Sequence, residues 1–162
     1  MTSPVDRDSF IAAMRQVAAS VTVVTTNGAA GKHGATVSAF ASVSADPPTV
    51  MVCLRSESRI ARAVEENGCF AVCVLPHSGA ETAMRFAGND DLQVDDRFAE
   101  IPHQDWAAPH IADTTSFSCD VDKAVQSGSH TAFFGVVTWA GTADEDPLLY
   151  FDGKFGRFQQ GD

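Results

Sequence analysis

Apolar runs broken by glycine and proline divide this chain into short elements. Residues 8–19 place Phe10, Ile11, Met14, Val17 and Ala18 at helical spacing, with Asp6 or Asp8 positioned to cap the start. From Val21 the pattern changes to β-branched residues, and 21–26 reads as a strand. Asn27-Gly28 and the glycines up to Gly34 then form a turn, and 35–44 runs extended, so the two segments predict a hairpin. Asp46-Pro47-Pro48 interrupts the chain before the strand 49–54, whose almost wholly apolar sequence predicts burial on both faces. Ser56-Glu57-Ser58 is a cap signal for a helix over 59–66, which Asn67-Gly68 ends. Residues 69–75 form a second continuous apolar strand stopped by Pro76, and 79–86 predicts a short helix before Gly88.

Residues 89–110 are irregular and acidic, with Asp90, Asp91, Asp95, Asp96 and Glu100 set against Arg97. Beyond them, 116–125 and 131–140 are long β-patterned segments joined by 126–129, and 148–151 is a last short strand. The strands are not separated one by one by helices, which excludes a doubly wound sheet. They predict a mainly β fold, an antiparallel barrel with flanking helices. No repeat or linker divides the chain, so 1–162 reads as a single domain.

Charge narrows the partners. Lys and Arg number 11 against 21 Asp and Glu, a formal net charge of −10, so the chain repels nucleic acid and anionic membrane surfaces. The N-terminal residues lack a basic segment followed by an apolar one, and no apolar run approaches the ~20 residues of a spanning helix. The expectation is a cytoplasmic protein with reduced thiols. Cys69 and Cys73 share a strand face but stand about 13 Å apart at ~3.3 Å per residue, too far to bridge.

Five features bear on the chemistry. Gly28-x-x-Gly31-x-x-Gly34 follows a strand, but a strand also follows it, so it is a hairpin turn and not a dinucleotide loop. The run 35–44 is rich in small hydroxyl residues, which suits either a half-exposed strand or a surface for a flat ring. Ser56-Glu57-Ser58-Arg59 lies between strand and helix, where free amides, hydroxyls and a guanidinium converge either on a cap or on a phosphate. Arg85 is a second candidate phosphate ligand, and His130, just after Gly128-Ser129, is either structural or functional.

Taken in order, these segments resemble the flavin reductase family. They are 21–25, 34–44 with Asp46-Pro47-Pro48, 52–54 with Ser58, 70–75, Arg85-Phe86-Ala87-Gly88, Gly128-Ser129-His130 and 148–151. The resemblance implies an antiparallel Greek-key split β-barrel of the FMN-binding type, working as a homodimer with flavin near the subunit interface. It implies that Ala35, Thr36, Val37, Ser38, Cys53 and Leu54 line the flavin ring. Ser56, Ser58, Arg59, Arg85 and Phe86 would approach the ribityl phosphate. It adds Tyr150 to the cofactor-binding set and points His130 at the nicotinamide. The implied activity is NAD(P)H:flavin oxidoreduction: NADH or NADPH reduces FMN or FAD, and the reduced flavin passes to a separate flavin-dependent monooxygenase. A flavin carrier or sensor on the same fold is the alternative. The chain departs from the family at Ser129, where an aspartate is common, and at Cys73, where asparagine is frequent.

Overall fold

The computed structural model describes residues 3–89 and 91–161; Asp90 of the acidic segment lies outside them. After helix α1 (Arg7–Met14) come β1 (Ala19–Ser20), β2 (Thr22–Thr26), β3 (His33–Val37), β4 (Phe40–Ala45) and β5 (Pro48–Arg55). Helix α2 (Arg59–Asn67), β6 (Cys69–Val74) and helix α3 (Ala80–Phe86) follow. The second half holds β7 (His103–Gln104), β8 (His110–Ile111), β9 (Thr115–Ser127), β10 (His130–Gly141), β11 (Leu148–Phe151) and β12 (Lys154–Arg157).

Seven strands pair in the order β3-β2-β6-β9-β10-β5-β4, every pair antiparallel. β3 and β4 are therefore opposite edges of the sheet, yet only Ser38 and Ala39 separate them in sequence. In a flat sheet the edges would lie roughly 29 Å apart at ~4.8 Å per strand, against the ~10 Å that so short a connection spans. The sheet must curl until its edges meet, and the Cys53 amide donates to the Ala39 carbonyl at 3.0 Å, carrying the β4–β5 pairing into the connection. Closure makes a barrel. The expected extended run 35–44 is thus corrected: it breaks at Ser38–Ala39, and only its first half pairs as a hairpin with β2.

The barrel encloses Val24, Val52, Leu54, Phe70, Val72 and Phe133, and α2 adds Ile60, Ala61 and Val64 to the same cluster. Each large side chain removed from water contributes about 1.5–3 kcal/mol. α2 starts where the cap signal places it: Ser58 Oγ accepts from the Ala61 amide at 3.2 Å, and Gly68 ends it at φ 72°. On the outside of β2 and β6, α3 buries Phe86 against Phe98, edge to face with centroids 4.9 Å apart.

One burial expectation fails, and the first helix is shorter than its spacing predicts. β5 alternates, with Val50, Val52 and Leu54 inward and Thr49, Met51 and Cys53 half-buried on its outer face. α1 stops at Met14 and buries none of its residues; its apolar stripe faces solvent, with Phe10 56 % and Met14 49 % exposed. The short strand β12, absent from the sequence expectation, pairs with β11, and β11 with β1, to form a second small sheet.

Candidate functional site

A cleft of about 700 Å³ opens where the start of β3 meets the N-terminus of α2. That volume lies within the ~300–1,000 Å³ of small-molecule sites. Gly34 and Ala35 form one wall, Ser58, Arg59 and Ile60 another, and the loop carrying Asp91 and 94–98 a third.

The β5–α2 corner explains the second wall. Ser58 donates to the Arg55 carbonyl at 2.6 Å while capping Ala61, so its hydroxyl is spent on the turn. Capping Ala61 leaves the first two helical amides, of Arg59 and Ile60, facing out of the helix. Arg59 is exposed beside them, and a helix N-terminus with a guanidinium favours an anion.

Arg97 builds the third wall. Its Nε and Nη2 donate to both carboxylate oxygens of Asp91, at 2.8 and 2.7 Å. Its Nη1 donates to the carbonyls of Gly34 (3.1 Å) and Phe86 (3.0 Å), fastening the loop to β3 and α3. The Arg97 hydrogen bond holds the Asp91 carboxyl below its ordinary value, with smaller Coulombic help from Arg97 and Arg59. Lys32, on the turn before β3, also lines the cleft.

The resemblance-implied residues divide by orientation. Ala35 and Val37 pack against the barrel cluster, and the Thr36 hydroxyl donates to the Ala83 carbonyl at 2.6 Å. What 35–37 offer a flat ring is therefore a backbone strip with short side chains, continued by exposed Ser38. Cys53 is half-buried on the outer face of β5, whereas Leu54 is 3 % exposed and belongs to the core. Ser56 Oγ pairs with Thr131 Oγ1 at 2.9 Å. Arg85 donates to the Ala99 carbonyl at 3.1 Å and lies outside the cleft wall, and the Phe86 ring is fully buried behind Gly34. Tyr150 stands apart on β11, against Phe155.

His130 owes its place to a two-residue hairpin connection. Gly128, at φ 56°, and Ser129 turn β9 into β10, and His130 opens the new strand opposite Ser127 and Arg55. The Ser56 amide donates to the Ser129 carbonyl at 3.0 Å, so the hairpin tip is tied to the corner that carries Ser58 and Arg59. The His130 ring is exposed, with Nδ1 3.0 Å from Ser129 Oγ. The sequence singles out Arg97 only as a lone cation among acids and does not single out Lys32.

The structure is thus a closed antiparallel barrel with a cleft framed by β3 and the β5–α2 corner. The sequence model for the flavin reductase like domain matches residues 14–159. The chain belongs to the flavin reductase family. It is 38 % identical over 162 residues to "Flavin reductase (NADH)" of Kitasatospora aureofaciens, covering 95 % of this chain and 83 % of that one. The solved flavin reductase PheA2 in its native state superposes with a TM-score of 0.87 at 34 % identity, over 96 % of this chain and all of that one. BorF, the flavin reductase component of a bacterial two-component tryptophan halogenase, gives 0.85 at 28 % identity, over 96 % of this chain and 100 % of its own.

Proposed function

We propose that this chain is an NADH-dependent flavin reductase that reduces FMN or FAD and releases the reduced flavin to a separate oxygenase. The observation that carries the reading is the cleft between the short-side-chained β3 wall and the Ser58–Arg59 helix start. The donor set fits a flavin nucleotide: a flat backbone strip for the ring, and outward amides with a guanidinium for its phosphate. NADH is the donor named for the Kitasatospora relative, and a reductase component is what BorF is to its halogenase. When bound, the flavin supplies the chemistry, accepting two electrons and a proton as a hydride from NADH, with a second proton from solvent.

The protein's own part is holding and orienting. Arg59 and the first amides of α2 anchor the phosphate, 35–38 support the ring, and His130 at the rim positions the nicotinamide. NADH oxidation should rise many-fold on adding FMN, FAD or riboflavin; a chain that oxidises NADH no faster with any of the three is not a reductase. A charge-assisted contact contributes about 1.5–3 kcal/mol, so Arg59→Gln should weaken FMN roughly tenfold or more and leave riboflavin, which has no phosphate, unchanged. Equal losses in fluorescence titrations with the two ligands would remove Arg59 from the phosphate.

The working form in this proposal is a homodimer. α1 exposes Phe10 and Met14, the second sheet exposes Phe151 and Phe155, and Phe158 just beyond it is exposed too. Arg15 and Asp152 tie the two elements together through a 3.1 Å ion pair and a 3.0 Å backbone bond. Apolar surface on this scale is what a partner covers. Light scattering should return twice the 17.2 kDa chain mass; a monomer at micromolar concentration would refute it.

A further inference from the structure

We propose that the corner between Trp106 and Trp139 is a second binding site, one that takes a small organic cation of the alkylammonium class. A cavity of about 310 Å³ opens over β6, β9 and the end of β10, and the two indoles, Asp120 and Thr138 line it. Phe70 and Cys119 belong to the barrel core, so alternation turns their neighbours Cys69 and Asp120 outward, to the cavity side. The cavity shares no residue with the cleft between β3 and α2, and the proposal goes beyond the reductase reading.

The aromatic walls are fixed. Trp106 sits on the connection between β7 and β8, and Trp139 on β10. Their rings meet edge to face, with centroids 5.0 Å apart and planes at 87°. The His110 ring closes the angle, 4.5 Å from Trp106 and 5.0 Å from Trp139. His110 Nε2 lies 2.8 Å from Ser118 Oγ, and the Thr25 hydroxyl donates to the Pro109 carbonyl, so the connection is fastened to the barrel. The Trp139 ring folds back over Gly141, where any Cβ would collide with it. Even so packed, Trp106 and Trp139 stay 42 and 44 % exposed.

Charge selects the ligand. Asp120 is the one charged residue on the lining, and among the described residues no cation pairs with it. Its field reaches the wall: burial and, after it, the Asp120 carboxylate push the Cys119 thiol up to about 12. Burial holds His110 below its ordinary value, so at neutral pH its ring is uncharged and does not oppose a cation. An anion would meet a carboxylate with no positive side chain on the lining to offset it. A metal ion would find one carboxylate where it needs several oxygen ligands. An alkylammonium satisfies both halves of the site, because indole faces attract a cation through the ring quadrupole and the carboxylate matches its charge.

Trp106 and Trp139 are the two tryptophans of the chain, so intrinsic emission reports on this corner. Choline and 3,3-dimethylbutan-1-ol share one shape and differ by a positive nitrogen in place of a carbon. At constant ionic strength choline should shift the emission saturably, and the neutral alcohol should bind about fivefold more weakly, or not at all. Asp120→Asn should weaken choline by about fivefold and leave the alcohol unchanged. It should also keep flavin-stimulated NADH oxidation, because Asp120 lies outside the cleft. Trp106→Phe should retain part of the affinity that Trp106→Leu loses, with Trp139 still reporting. No saturable response to choline, equal affinity for the two probes, or unchanged choline binding in Asp120→Asn would overturn the site. So would emission that changes on diluting the protein and not with choline, since a second copy of the chain would then cover the indoles. A wild-type chain without flavin-stimulated NADH oxidation would overturn only the reductase reading.

Discussion

Gly135→Ala should destabilise the barrel by about 1–3 kcal/mol or more, the cost of forcing a methyl into a filled core. A Cβ at Gly135 would meet Phe70 Cζ at 2.6 Å, Phe70 Cε1 at 2.7 Å and Cys119 Cβ at 2.7 Å. None of these can step aside. Phe70 is fully buried at the centre of the core cluster, and Cys119 sits on β9, paired with Val137 of the same strand that carries Gly135. The register of β10 against β9 also shifts between Phe134 and Gly135, so the glycine marks a bulge where the strand bends around the Phe70 ring. At ~2–4 °C per kcal/mol for a chain of this size, thermal unfolding should fall by several degrees or more. Gly156→Ala is the control. It lies on exposed β12 with nothing within 4 Å of a Cβ, and should change the midpoint little. An unaltered midpoint for Gly135→Ala would mean that β10 relaxes around the methyl and that the bulge has another cause.

The strands of this barrel were legible because each is a short run of β-branched and apolar residues between glycines or prolines. What pairs with what was less so. Nothing in the composition of 35–44 marks Ser38–Ala39 as the step between opposite edges of a sheet, since that step is imposed by closure and not by a breaker residue. The half-buried outer face of β5 was equally hidden: Met51 and Cys53 are as apolar as Val52, and only the face of the strand they occupy separates them. Of the candidate residues, Ser58 and Arg59, which line the cleft, could be read from the strand–cap–helix order, and His130 from its turn. Leu54 and Phe86 adjoin surface residues in the same motifs, but alternation on β5 and the inner face of α3 place their side chains in the cores. Lys32 and Arg97 escaped because their contacts are remote in sequence, 71 residues from Lys32 to His103 and 63 from Arg97 to Gly34. Periodicity is local and carries no signal across such spans.

His130→Ala should lower kcat/KM for NADH roughly tenfold or more while leaving flavin affinity nearly intact. Hydride transfer needs the nicotinamide held face to face with the flavin, and small misplacement of reacting groups costs one to two orders of magnitude in rate. The hairpin tip is well suited to supply that constraint. Gly128–Ser129 is too short to move independently of the strands, and the Ser56 amide bonds the Ser129 carbonyl to the α2 corner. The ring is thus exposed on a fixed base, on a hairpin tied to the corner that carries Ser58 and Arg59. Ser129 Oγ, 3.0 Å from Nδ1, can donate or accept and so orients the ring. Ser129→Ala should therefore reproduce a weaker form of the same defect, raising the NADH Michaelis constant by a few-fold with flavin binding unchanged. A structural role predicts a different pattern: since His130 is exposed and opens its strand, its loss would at most lower the unfolding midpoint slightly, with nicotinamide kinetics untouched. Steady-state NADH kinetics at saturating FMN, beside FMN titrations of the same variants, separate the two, and unchanged kinetics in His130→Ala would exclude the residue from the nicotinamide site.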